Sequence, residues 1–260
     1  MEPSTAMSST RTMEGCFGIV TGAASGIGQA TAVHLAGMGA GVTLVDLDQA
    51  GLEETRARIQ RETDARLSVF ASDITDEAEV NRVVDETAAQ FGAVDFLVNS
   101  AGILRRAAFL DIPVEEWDRM LKVNLRGPFL YCRLVVPHML RQNRGVIINV
   151  ASLAGRSSSL LGGAHYTAAK HALIGLSRHL ARELGPRGVR VNAFCPGGTL
   201  TPMTTNLTSA EELEALAATI PRRKWATPEE QAWVIGFLVS DAAVNITGAC
   251  IDSNGGALMI

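Results

Sequence analysis

Tyr166 and Lys170 stand four residues apart near the start of a run, 164–184, whose composition predicts a helix. That spacing sets the phenol and the ammonium on one helix face, close enough to interact. A cation beside a phenol favours the phenolate and lowers its pKa toward neutral. A phenol tuned in that way can give or take a proton at a substrate oxygen. Ser152 follows an apolar run, 145–151, that reads as a buried strand. A hydroxyl there can hydrogen-bond the same oxygen. Taken alone the Tyr/Lys pair is a common spelling, equally that of two side chains facing solvent. Its meaning depends on the rest of the chain.

A second constellation suits a nucleotide. Gly22, Gly26 and Gly28, with Ser25 and Ile27 among them, lie between a short apolar run (16–21) and a helical pattern reaching about residue 38. Glycines there allow a tight turn and let a pyrophosphate approach the backbone, and the helix N-terminus offers free N–H groups to the phosphates. The spacing is GxxxGxG rather than GxGxxG, and no Gly-Lys-Ser/Thr follows, so this is no Walker A loop. Asp46 ends the second apolar run, where an acid can accept from a ribose 2′-OH and would repel a 2′-phosphate. NAD is therefore favoured over NADP. Asp46 could instead cap the next helix, a job open to Asp48 as well. Asp73 and Ile74, and then Asn99, Ala101 and Gly102, follow the third and fourth runs.

Positioning these groups requires alternating elements. Strands are expected at 16–21, 41–46, 67–71, 94–99, 146–151, 189–195 and 249–252. Helices are expected at about 27–38, 49–63, 76–91, 113–141 with a kink at Gly127-Pro128, 164–184 and 228–240. That alternation predicts an α/β fold, a single-domain Rossmann-type doubly wound parallel β-sheet with helices on both faces. The domain is expected to span 13–260, after a mobile tail at 1–12. A looser segment, 199–225, with a short helix near 211–218, reads as a substrate lid.

Of the 260 residues 47% are hydrophobic and 19% charged, and the net charge is −4, which suits a globular chain with a large core. No long basic run points to nucleic acid, and no apolar run reaches membrane-spanning length. The four cysteines, Cys16, Cys132, Cys195 and Cys250, show no zinc-ligand spacing, so no metal is expected. With no leader pattern at the N-terminus, these features predict a cytoplasmic protein with reduced thiols.

From Thr21 onward the pattern resembles the short-chain dehydrogenase/reductase family. Thr21–Gly28 resembles its cofactor loop, Asp73-Ile74 its adenine step, and Asn99-Ser100-Ala101-Gly102 its NNAG turn with Ser100 for the second Asn. Asn124, Ser152, Tyr166 and Lys170 fall at its catalytic tetrad, and Pro196, Gly197 and Thr201 at its PGxxxT element. Thr199 takes the place of a branched apolar residue whose backbone contacts the carboxamide. The resemblance implies hydride transfer between a nicotinamide and an alcohol or carbonyl. It implies Tyr166 as general acid/base and Ser152 as the group orienting the substrate oxygen. Lys170 would tune the tyrosine and hold the nicotinamide ribose, and Asn124 would hold a water that relays protons from Lys170. It also implies a homotetramer built on the helices at about 114–141 and 166–184.

Substrate contacts are expected from 103–109, 153–165 and the lid. Arg105 and Arg106 could meet an anionic substrate or simply be solvated, and His165 reads as a pocket wall or surface residue. The leading expectation is an NAD-dependent dehydrogenase of a small polyol, sugar or secondary alcohol. A 3-oxoacyl-thioester reductase is the alternative, weakened by the absence of a basic residue beside Ser25 or after Asp46. A serine hydrolase fails because Ser152 lacks the G-x-S-x-G elbow. A silent NAD-binding regulator is opposed by the complete tetrad.

Overall fold

The computed structural model of the chain describes residues 13–260; the expected tail, 1–12, lies outside the described residues. In chain order the elements are β1 (Phe17–Thr21), α1 (Gly26–Gly37), β2 (Gly41–Asp46), α2 (Gln49–Glu62), β3 (Leu67–Ala71) and α3 (Glu77–Phe91). Next come β4 (Phe96–Asn99), α4 (Val114–Leu121), α5 (Gly127–Arg141), β5 (Gly145–Val150) and α6 (Ala164–Leu184). The chain closes with β6 (Val189–Pro196), α7 (Pro202–Thr205), α8 (Ala210–Thr219), α9 (Pro228–Val239) and β7 (Cys250–Ser253). The strands form one sheet in the order β3-β2-β1-β4-β5-β6-β7, and every pairing is parallel.

Both faces are covered, which is why the strands read as unbroken apolar runs rather than alternating ones. Alternate side chains still go to opposite faces. Val20, Val98 and Ile148 join Leu35, Phe194 and Ile235 under α1 and α9. Ile19, Leu97 and Ile147 join Val83, Tyr131 and Met139 under α3 and α5. The helices begin where the sequence supplies caps: Asp48 accepts from Ala50 and Gly51 N–H, Asp76 from Ala78 and Glu79 N–H, and Thr227 with Glu230 forms a capping box on α9. With Asp48 capping α2, Asp46 is left free of that job.

The order reverses between β1 and β4, and ligands of open sheets bind in the crevice at such a switch point, outside the carboxyl ends of the strands. Thr21 draws that crevice together: its hydroxyl accepts from the N–H groups of Ser100 (3.1 Å) and Ala101 (3.2 Å). The long helix expected over 113–141 differs. Instead of bending at Gly127-Pro128, it is interrupted one turn earlier by a π segment, Lys122–Arg126, and Pro128 sits in the first turn of α5, where proline is tolerated. A π turn carries no compositional signature. This one is held by a tertiary contact, because buried Asn124 accepts from Ile103 N–H (3.1 Å) and donates to Ile103 C=O (3.0 Å).

Candidate active site

The turn between β1 and α1 holds two tight approaches. Gly22 has φ +71°, open to glycine at little cost, and a side chain there would meet the Ala101 backbone at 2.7 Å. A Cβ on Gly28 would lie 2.0 Å from Gly22 O. Ser25 precedes α1 without a side-chain cap, which leaves the first-turn N–H groups uncapped at the edge of the crevice, an arrangement that suits an anion. Asp46 reaches this turn from β2: one carboxylate oxygen accepts from Ala24 N–H (3.1 Å) and the other from Leu47 (2.7 Å) and Asp48 (3.2 Å) N–H.

A cavity of about 870 Å³ runs along this edge. It is lined by Gly22, Ser25, Gly26, Ile27 and Gly28, by Asp46, Asp73 and Ile74, by Ala101 and Gly102, by Asn124, and by Tyr166, Lys170, Pro196 and Thr201. Three predicted cofactor contacts lie elsewhere. The Asn99 amide donates to Asn149 (2.8 Å), whose own amide donates to Ser177 (2.9 Å), a buried chain that ties β4 to β5 and α6. Gly197 and Thr199 line the smaller neighbouring cavity, and the Thr199 hydroxyl donates to Gly197 C=O (3.1 Å). A separate cleft of about 740 Å³ between α1, α2 and α9 contains none of the predicted site residues.

That smaller cavity, about 190 Å³, lies under α7 and α8 and is lined by Ser152 and Tyr166. Tyr166 is shared by both spaces, and it is 9% exposed. The Ser152 hydroxyl accepts from Ala154 N–H (3.0 Å), which fixes its position and leaves its proton available. Lys170, 5% exposed, donates to Val150 C=O (2.9 Å), and its Nζ sits 5.7 Å from the Tyr166 ring centroid.

The electrostatics depart from the sequence expectation. Burial pushes the Tyr166 phenol up, and the Ser152 hydroxyl partly offsets this. Burial brings Lys170 down to about 8, with a smaller opposing effect from Cys195. Within the protein, then, desolvation rather than Lys170 dominates the phenol, because the ammonium is turned to Val150 C=O.

Some neighbours of the site were not legible. His165 is fully buried, not a pocket-wall or surface residue, and its Nε2 lies 3.8 Å from Glu116 of α4. Glu116 is separated from it by 49 positions, so no local pattern signals the contact. Arg105 approaches the same Glu116 (3.7 Å), and Arg106 forms a two-pronged pair with Glu212 of α8 (2.9 and 3.4 Å).

A family model described as enoyl-(acyl carrier protein) reductase matches residues 22–257. A 3-oxoacyl-[acyl-carrier-protein] reductase of Thermotoga maritima is 37% identical, the match covering 95% of this chain and 99% of the relative. A D-threitol dehydrogenase of Mycolicibacterium smegmatis is 40% identical over 94% of this chain and 93% of its own. The crystal structure of a levodione reductase superposes with a TM-score of 0.90 at 34% identity, covering 94% of this chain and 98% of that one. The chain belongs to the short-chain dehydrogenase/reductase family. As such a dehydrogenase/reductase it is an oxidoreductase of alcohols and carbonyl compounds, in a family that uses nicotinamide cofactors. The residues present fit that group: uncapped N–H donors at the start of α1, a glycine cradle that a Cβ would fill, and a carboxylate at the end of β2. Among the described residues no helix is long and apolar enough to cross a membrane.

Proposed function

We propose that this protein is an NAD(H)-dependent dehydrogenase of a small secondary alcohol or its ketone. The observation that carries the reading is the position of Tyr166, whose phenol borders both the large glycine-lined cavity and the small apolar one. The cofactor, when bound, supplies or accepts the hydride. Gly22 and the 25–28 turn receive its phosphates, Asp46 its adenosine ribose, Asp73 and Ile74 its adenine side, and Pro196 and Thr201 its nicotinamide end. Asn99 acts by holding the strand ends together, and Thr199 by shaping the turn.

The chain's own work is to place an oxygen and move a proton. Tyr166 donates to the carbonyl oxygen in reduction and accepts from the hydroxyl in oxidation. Ser152 donates a second hydrogen bond to that oxygen. Lys170, with a pKa near neutral, passes protons and holds the ribose. Asn124 has one Oδ1 lone pair left after bonding Ile103, and that is where it holds the relay water. Residues 199–225, carrying α7 and α8, form the lid over the substrate.

Asp46 supports NAD over NADP, because a 2′-phosphate beside its carboxylate would meet like charge. Two apolar faces support a homotetramer. Phe129, 42% exposed, stands with Leu121, Leu125 and Leu176 on the α4–α6 side, and Trp233, 59% exposed, stands with Phe237 on α9. Two distinct self-complementary faces build a closed tetramer. A cytoplasmic setting accords with the composition. The 37% identical relative supports a second reading, reduction of 3-oxoacyl thioesters. Fluorescence titration with NADH and NADPH tests the first: NADH should bind at least tenfold more tightly, and tighter NADPH binding would move the second reading to the front.

A further inference from the structure

We infer that the substrate cavity selects a compact, uncharged, largely apolar ketone or secondary alcohol, and rejects polyols, carboxylates and acyl thioesters. The inference rests on the assignment of Tyr166 and Ser152 to the substrate oxygen, and it narrows the substrate of that same site. Among the described residues, no charged side chain lines the cavity. Its walls are Leu104, Leu161, Met203, Leu216, Ile220 and Trp225. Its volume, about 190 Å³, is small beside the 870 Å³ of the glycine-lined cavity. Gly162 keeps space open beside the phenol, since a Cβ there would lie 2.5 Å from Leu104 and 3.0 Å from the Tyr166 ring.

Most donors of the wall are already used, the Ser159 hydroxyl excepted. Thr199 donates to Gly197 C=O (3.1 Å), Thr204 to Thr199 C=O (2.6 Å), Thr219 to Leu216 C=O (2.7 Å) and the Trp225 indole to Leu213 C=O (2.9 Å). Ser159 accepts from Gly162 N–H (2.7 Å). Ser152 and Tyr166 remain as the pair aimed at one substrate oxygen. Beyond one that Ser159 could meet, each further hydroxyl of a polyol would lose water without a matched partner.

Charge is excluded more strongly. The cations of the loop over the cavity, Arg105 and Arg106, are turned to Glu116 and Glu212. A carboxylate entering the cavity would be desolvated with no cation beside it. The Arg106–Glu212 pair also joins that loop to α8.

The test is a panel on the wild-type enzyme with NADH and NADPH both supplied. The probes are 4-methylcyclohexanone, the matched anion 4-oxocyclohexanecarboxylate, and acetoacetyl-coenzyme A; 4-methylcyclohexanol is compared with threitol in the NAD-linked oxidation. The expected kcat/KM ratio is about a hundredfold for the methyl ketone over the carboxylate and over the thioester, and more than tenfold for the cyclohexanol over threitol. A ratio below tenfold in any of these comparisons overturns the inference. Binding of NADH with no turnover of 4-methylcyclohexanone also overturns it while leaving the cofactor assignment intact. Failure to bind either NADH or NADPH overturns the underlying reading as well.

Discussion

Lys170 sits where a lysine is unfavourable, and that sets its pH behaviour. Its pKa falls from 10.5 to about 8, with burial the main cause. A lysine depressed in the folded state destabilises the fold fully below about pH 8, and the cost fades between pH 8 and 10.5 as the unfolded chain also loses its proton. Lys170→Met should therefore stabilise the protein at pH 7 by about 1–2 kcal/mol, after allowing for the lost bond to Val150 C=O. The gain should shrink above pH 8. Thermal unfolding from pH 6 to 10.5 checks this, and a gain that grows with pH would contradict it. The placement of Tyr166, Lys170 and Asp46 at one crevice, with Ser152 beside Tyr166, was legible from motif spacing. The environments of His165, Arg105 and Arg106 were not, because their acidic partners come from α4 and α8, far along the chain.

At the scale of the element, the turn into α1 combines the closest backbone approaches with uncapped N–H donors. Gly28→Ala would force its Cβ against Gly22 O, 2.0 Å away in the present backbone, and so reshape the cradle. The expected result is at least a tenfold loss of NADH affinity together with a lower Tm, since a buried overlap of this kind typically costs about 1–3 kcal/mol. Titration and thermal unfolding of the variant check both, and unchanged affinity would separate the cradle from the cofactor. Strand and helix positions were readable because apolar runs, caps and glycine stops act locally. The π segment at Asn124 was not. It is stabilised by Ile103, 21 positions away, so the visible Gly127-Pro128 pair drew attention one turn too late. Residues 202–205 likewise gave no sign of α7, whose four residues depend on bonds from Thr204 to Thr199 and Thr201.

At the scale of the molecule, strict strand–helix alternation pointed to the doubly wound parallel sheet, and the strand order, which alternation does not fix, sets the crevice. What the sequence could not carry was the shape of the substrate cavity, which several separate stretches, from Ile27 to Ala257, enclose. The exposed apolar faces belong to this scale too. Phe129→Asp places a charge on the α4–α6 face and should split the proposed tetramer into dimers, whereas Trp233→Asp should do so through the other face. Analytical ultracentrifugation reads the outcome. A wild-type monomer, or no effect from either charge, would contradict the assembly.

In the proposed reaction Tyr166 transfers the proton at a junction between cofactor and substrate. Replacing it with Phe keeps the ring and its packing and removes one oxygen. The decisive measurement is NADH consumption with 4-methylcyclohexanone by wild type and Tyr166→Phe, with NADH affinity measured on both. The expected result is NADH affinity within threefold and a kcat reduced by at least about a thousandfold, within the range for loss of an acid/base group. Turnover by Tyr166→Phe within tenfold of wild type would contradict it.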